Sequence, residues 1–173
     1  MPISVLTDAD AGEVLTLQRA AYVSEARLHN DVALPPLTQT LDDLCDELGR
    51  RDVLAWGLRE RGRLVAAVRV TVRDHRAELG RLTVTPDRQG EGLGTRLLRH
   101  VEEQLPEAVD AIELFTGERS EANLRLYRRH GYQETRRAPA GYYDLVHMRK
   151  ILNTARSGSD SGGEPTVRHC QST

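Results

Sequence analysis

The sequence predicts one mixed α/β domain: a mostly antiparallel sheet of about seven strands flanked by about four helices. Three observations predict it. The chain has 173 residues, 39% apolar and 29% charged, enough for one buried core and ordinary for a protein folded in water. Apolar residues recur with strand periodicity in some stretches and helical periodicity in others, in the order β-α-α-β-β-β-α-β-α-β-β rather than as strict βαβ alternation. Residues 78–105 run from a strand through a glycine-rich loop into a helix without a break.

Taken in order, residues 3–6 are a short strand. Asp8 or Asp10 can cap the helix that follows, which carries Val14, Leu15, Leu17, Ala21 and Tyr22 and runs to about Arg27. Residues 29–37 are irregular and close on Pro35-Pro36. Thr40 caps a second helix, with Asp43 completing a short capping box; Leu41, Leu44, Cys45 and Leu48 face inward and Gly49 ends it. Strands 53–60 and 64–73 join through Arg61-Gly62-Arg63 as a hairpin. Asp74-His75-Arg76 then turns the chain into strand 78–85, which Pro86 and Asp87 terminate, since proline cannot extend a central ladder. Leu93, Leu97, Leu98, Val101 and Leu105 line one face of the next helix, which Pro106 stops. Residues 111–115 are a short buried strand, Ser120 or Glu118 starts helix 121–130, and Gly131 is its C-cap. Strands 132–137 and 142–151, separated by Pro139-Ala140-Gly141, complete the domain at about residue 152.

A strand, a glycine loop and a helix N-terminus in succession form an anion site. The first helical turn carries unpaired N–H groups and the positive end of the helix dipole, and glycines let a phosphate approach without meeting a Cβ. Gly90, Gly92 and Gly94 stand at every second position, and Arg88 adds a positive charge at the rim. A phosphate or pyrophosphate is the expected ligand. A P-loop would need Gly-Lys-Ser/Thr where this chain has Gly94-Thr95-Arg96. A dinucleotide fingerprint would need GxGxxG near the start of a βαβ unit, whereas the spacing here is GxGxG with nearly half the chain before it.

Gln89-Gly90-Glu91-Gly92-Leu93-Gly94 fits the pattern Gln/Arg-x-x-Gly-x-Gly/Ala. Asn123, Tyr127, Gly131 and Tyr132 fit Asn-x-x-x-Tyr-x-x-x-Gly-Tyr/Phe with both spacings intact. On these residues, and on the element order over about residues 2–152, the chain resembles the acetyl-CoA-dependent N-acetyltransferase (GNAT) superfamily. The resemblance implies transfer of an acetyl group from acetyl-CoA (coenzyme A) to a primary amine of a small molecule by direct attack. It implies a central splay between the motif strand and the next, with a bulge that frees Leu82, Thr83 and Val84 to pair with the pantetheine arm. Arg88, Gln89, Gly90, Gly92, Gly94 and Thr95 would hold the pyrophosphate, Tyr127 would protonate or hydrogen-bond the departing thiolate, and Asn123 would contact the arm. Glu78, six residues before Val84, is the position at which several such enzymes place a base. His75 and His147 are weaker candidates.

Acceptor selection falls to the first two helices and their connection, including Tyr22, Glu25, His29 and Asp31, and to the loop at 139–143. Glu25, Asp31, Asp42, Asp43, Asp46 and Glu47 outnumber Arg27 and Arg50 in this region, which suits a cationic amine; Arg27 and His29 equally suit a substrate carboxylate. A protein or peptide N-acetyltransferase is the alternative enzyme, and a non-catalytic acyl-CoA sensor the alternative outside catalysis. The sensor would keep the glycine loop without needing Tyr127.

A net charge of −2 and the lack of a basic stripe argue against nucleic acid, and no apolar run reaches the roughly 18 residues of a membrane span. Cys45 and Cys170 have no metal-ligand or CxxC spacing, and the first residues form no secretory signal, so a reduced, cytoplasmic protein without metal or disulfide is expected. A homodimer is compatible with this reading. Residues 153–173 are rich in Ser, Thr and Gly, with Val167 the only aliphatic residue after Ala155, and read as a flexible tail. Deleting residues 157–173 should leave the melting temperature and turnover unchanged; a fall of several degrees in a thermal melt would show that the segment packs on the domain.

Overall fold

The computed structural model describes residues 1–152; the expected tail, 153–173, lies outside the described residues. A seven-stranded sheet runs in the order β1-β2-β3-β4-β5-β7-β6. Its strands are β1 (Ile3–Val5), β2 (Val53–Glu60), β3 (Arg63–Arg73), β4 (Arg76–Val84), β5 (Ala111–Gly117), β6 (Gln133–Ala140) and β7 (Tyr143–Ile151). Neighbours are antiparallel except β4 and β5, which are parallel and joined by a crossover helix. The helices are α1 (Ala11–His29), α2 (Pro35–Thr38), α3 (Leu41–Leu48), α4 (Leu93–Gln104) and α5 (Glu121–Arg129). No helix among the described residues is long and apolar enough to cross a membrane.

Two layers of helix cover the sheet. On one face, Leu93, Leu97, Leu98 and Val101 of α4 and Leu124 and Tyr127 of α5 pack with Val68, Val70, Leu79, Leu114 and Met148. On the other, Val14, Leu15 and Leu17 of α1 and Leu44 and Leu48 of α3 pack with Leu6, Ala55, Leu64 and Ala67. Along the middle of β3, Ala66, Val68 and Val70 face the first core and Ala67 the second, the alternation expected of a strand. Each fully buried Leu or Val contributes about 1.5–3 kcal/mol by leaving water.

Local signals explain most boundaries. Thr40 and Asp43 form the expected capping box, the Asp43 N–H donating to Thr40 Oγ1 at 3.1 Å. Arg61 and Gly62, with φ of 49° and 86°, make the hairpin turn, whose primed geometry matches the twist of its strands, and Arg63 already belongs to β3.

Several expectations are corrected. Pro35 and Pro36 begin a one-turn helix rather than an irregular stretch, because a missing N–H is harmless at a helix start. Asp10 holds the N-cap position of α1 but makes no side-chain capping bond there; its carboxylate instead accepts from the N–H of Thr7, which caps the short turn at residues 8–10, at 2.9 Å. Asn30, left-handed at φ 52°, ends α1 after His29. Leu41 is exposed and Cys45 half-buried, so the inner face of α3 is narrower than its apolar residues suggest. Phe115 is exposed too, its ring tilted against His147 of β7 at 5.6 Å between centroids. Pro139 and Ala140 pair within β6, leaving Gly141 and Tyr142 as the turn.

The C-terminal end of α1 is keyed to β5. The His29 ring is 4% exposed, lies edge-on to Tyr143 at 4.3 Å between centroids, and occupies the space beside Gly117. A Cβ on residue 117 would sit 1.7 Å from His29 Nε2. Gly117→Ala should therefore destabilise the domain by about 1–3 kcal/mol through overpacking. In a His29→Ala background most of that cost should vanish, a coupling that urea denaturation of the double-mutant cycle would measure. Additive losses would show that the two positions do not compete for space.

Candidate functional site

β4 and β5 pair only from Arg76 to Glu78 and from Ala111 to Glu113. Beyond that point β4 leaves. Its register against β3 slips between Gly80 and Thr83, so that Arg81 and Leu82 both stand opposite Val68. Arg81 takes φ 52°, and this bulge bends the strand. β5 continues straight along β7 to Gly117. A wedge opens between residues 79–84 and 114–117, and no ladder crosses it. The splay and bulge implied by the resemblance are present.

The glycine loop lies at the far end of β4. Pro86–Arg88 forms a single 3-10 turn, Gly90 and Gly92 take φ of 84° and 79°, and α4 begins at Leu93. A Cβ at Gly90 or Gly92 would touch nothing within 4 Å, so there glycine serves the left-handed backbone, not space inside the protein. At Gly94 a Cβ would make only ordinary contacts, 3.7 Å from Leu126 and 3.9 Å from Leu82 and Val84, so neither backbone nor packing within the protein requires glycine there. The Arg96 N–H donates to the Gly92 carbonyl at 3.1 Å, while the N–H groups of Leu93, Gly94 and Thr95 find no acceptor among the described residues. Gln89 Nε2 donates to the Val84 carbonyl at 3.3 Å.

Arg88 stands at the rim, but its charge is already compensated. Its Nε donates to both Glu91 oxygens at 2.9 Å and its Nη1 to Glu60, and these hydrogen bonds raise its already high pKa. An incoming anion exchanges with a carboxylate here rather than meeting a bare cation.

α1 and α5 lie on opposite faces of the sheet, yet they touch through the wedge. Glu25 of α1 accepts hydrogen bonds from Ser120 Oγ at 2.5 Å and from Asn123 Nδ2 at 3.4 Å. Ser120, expected to cap α5, instead spends its hydroxyl on this bridge. Tyr127 is buried against the Tyr132 ring, 5.7 Å between centroids. Burial, then the nearby Tyr22 hydroxyl and Glu25 carboxylate, push its phenol well above the usual range, so it keeps its proton. Burial also raises Tyr22, opposed chiefly by the Arg81 guanidinium beside it. Tyr22, Glu25, Asn123 and Tyr127 thus come together.

The other predicted residues lie apart. Glu78 is exposed at the apex of the wedge, level with Thr71 and Glu113 and roughly 10 Å along the strand from Arg81. His29 is buried against Gly117, and Asp31 accepts from the Tyr143 hydroxyl at 3.5 Å and from the Ala33 N–H at 2.9 Å. Of the supposed acceptor-facing residues, Tyr22 and Glu25 border the wedge, while His29 and Asp31 fasten α1 to β7. Thr83 is buried, its hydroxyl donating to the Ala67 carbonyl at 3.3 Å. Sequence reasoning missed Arg81 and Ser120. The signal for Arg81 is a charge amid apolar residues of the motif strand; Ser120 carried none beyond its place before a helix.

Residues 18–132 match the family model described as the acetyltransferase (GNAT) family. No curated protein sequence matches the chain. Among solved structures it is similar to the ribosomal-protein-S18-alanine N-acetyltransferase of Escherichia coli, with TM-score 0.73 and 23% identity over 92% of this chain and 97% of that one. It is similar to the PaiA N-acetyltransferase of Thermoplasma acidophilum in complex with coenzyme A, with TM-score 0.70 and 18% identity over 88% and 100% of the two chains. A ribosomal-protein-alanine N-acetyltransferase from Brucella melitensis gives TM-score 0.70 and 22% identity over 88% and 100%.

Removing the bridge across the wedge should be costly. Glu25→Ala leaves the buried Ser120 hydroxyl without its acceptor, and a loss of about 1–3 kcal/mol is expected in chemical denaturation. An unchanged midpoint would show that the Glu25 contact contributes nothing to holding α1 against α5.

Proposed function

Because this chain belongs to the GNAT acetyltransferase family, we propose that it is an acetyl-CoA-dependent N-acetyltransferase acting on the primary amine of a small molecule. The observation that carries this reading is a protonated, buried Tyr127 beside a wedge whose strand edges are unpaired, with free helix N–H groups at its far end.

Coenzyme A needs an extended slot and a diphosphate site, and the residues present fit both. The edge of β4 at Leu82, Thr83 and Val84 offers backbone groups for an extended arm, with Asn123 close to the opposite wall. The N–H groups of Leu93, Gly94 and Thr95, together with the left-handed Gly90 and Gly92, fit a diphosphate; Gln89 flanks them, and Arg88 joins once Glu91 is displaced. When bound, acetyl-CoA supplies a thioester that an amine attacks directly.

The protein's own part is modest in residues. N–H groups on the free edge of β4 are the donors available where a carbonyl oxygen gains charge. Tyr127 holds its proton at the phenolic oxygen and offers it to a departing thiolate. Glu78, open to solvent at the apex, takes the amine's proton through water. The Glu25 bridge narrows the mouth of the wedge, which supports a small acceptor over a folded protein. Acetylation of a protein N-terminus is the second reading, favoured by the structural likeness to the two ribosomal-protein-alanine acetyltransferases. The proposal includes a cytoplasmic setting.

Tyr127→Phe removes one hydroxyl and keeps the ring packing. With an accepted amine and free-thiol release as the readout, kcat should fall, by up to the roughly 10²–10⁴-fold typical of general acid help, with KM for acetyl-CoA little changed. Near-normal kcat would assign thiolate stabilisation to water or backbone; a raised KM at unchanged kcat would make Tyr127 a binding residue.

A further inference from the structure

We propose that the acceptor is an amino acid or a similar short zwitterion, its carboxylate held by Arg81 and its amine turned toward Glu25. The inference rests on the acetyl-transfer reading and adds the substrate class.

Arg81 is an anomaly. It occupies the bulge of β4 with a left-handed φ of 52°, a strained conformation for a residue other than glycine. The bulge breaks the alternation of the strand and brings the side chain to the α1 face, beside the Tyr22 hydroxyl. Arg59, Arg63, Arg69, Arg76, Arg88 and Arg149, on the sheet and its rim, each hold a carboxylate. Arg81 is half-buried and holds none among the described residues, and its Nε is buried without an acceptor. Close by, Arg69 is 4% exposed, and its Nη1 also lacks an acceptor. A guanidinium taken from water without a counter-charge is expensive, so a strained bulge that holds one in place points to an anion from outside.

The opposite charge is near the same phenol. Both Arg81 and Glu25 lie close enough to act on Tyr22, and Glu25 also reaches Ser120 and Asn123, yet no ion pair within 4.0 Å joins Arg81 to Glu25. A solute whose amine and carboxylate are a few bonds apart can satisfy both. With its amine at Glu25, it lies next to Tyr127, where the transfer is proposed. A simple cation leaves Arg81 uncompensated, and a peptide N-terminus brings no carboxylate at that distance, so the pair of charges selects against both.

The test uses the full chain with acetyl-CoA, free-thiol release, and matched sets of an L-amino acid, its carboxamide and its decarboxylated amine. At least one amino acid should exceed its carboxamide in kcat/KM by roughly 10–100-fold, the usual worth of a hydrogen-bonded charge. Arg81→Gln should reduce that ratio to about one through KM, with melting temperature and coenzyme A affinity by calorimetry retained. Carboxamides or plain amines transferred as well as the acids would overturn the inference, as would an Arg81→Gln variant that slows all three classes alike. If no amine of any class releases thiol, the acetyl-transfer reading fails first. Calorimetry of the same amino acids with coenzyme A present then decides the carboxylate site: binding lost in Arg81→Gln sustains it, and no binding to the unaltered chain overturns it.

Discussion

Parallel strands stay paired only while both keep the same course, and β4 does not. Its bulge at Arg81 carries it away from β5 just beyond Glu78 and Glu113, in the middle of a sheet that is otherwise continuous. Everything of chemical interest follows from that parting. Helices on opposite faces of a closed sheet cannot meet, yet Glu25 of α1 reaches Ser120 and Asn123 of α5. The wedge leaves strand backbone unpaired and opens a passage between the faces, where the Tyr127 ring lies at the edge of the core and Glu25 reaches across.

An interrupted ladder is a liability, because unpaired strand edges invite other chains and forfeit hydrogen bonds. The fold limits the damage by stitching the halves together elsewhere. The core beneath α4 and α5 is one cluster that spans β3, β4, β5 and β7, so apolar packing crosses the gap that hydrogen bonds do not. On the other face, His29 and Glu25 tie α1 to β5 and α5. The strands part where helices hold them from both sides.

Much of this was legible in the chain because its signals are local. The Thr40–Asp43 box, the Arg61-Gly62 turn and the apolar stripe of α4 each depend on residues a few positions apart. The glycines and the Asn123–Tyr127 spacing marked the site for the same reason. What could not be read depends on partners distant in sequence. Phe115 is as apolar as a buried strand residue, yet the fold leaves it exposed beside His147 of β7, 32 positions away. Ser120 looked like a cap until Glu25, 95 positions away, took its hydroxyl. Arg88 looked like a free charge until the fold set Glu60 beside it. Arg81 acquires its direction from a register slip that no periodicity encodes.

The contact between His29 and Gly117 bears on how such a chain can change over generations. An imidazole occupies the volume of an absent side chain, so neither position drifts alone: a larger residue at 117 becomes admissible only after position 29 has shrunk. The pair behaves as a single inherited character, and it fixes the axial placement of α1 against β5. Glu25, one turn earlier on the same helix, is held by its bonds to Ser120 and Asn123, whereas Tyr22, two turns earlier, is free of that lock. Lineages can therefore vary position 22 on the wall of the wedge while the helix that carries the wall stays in place.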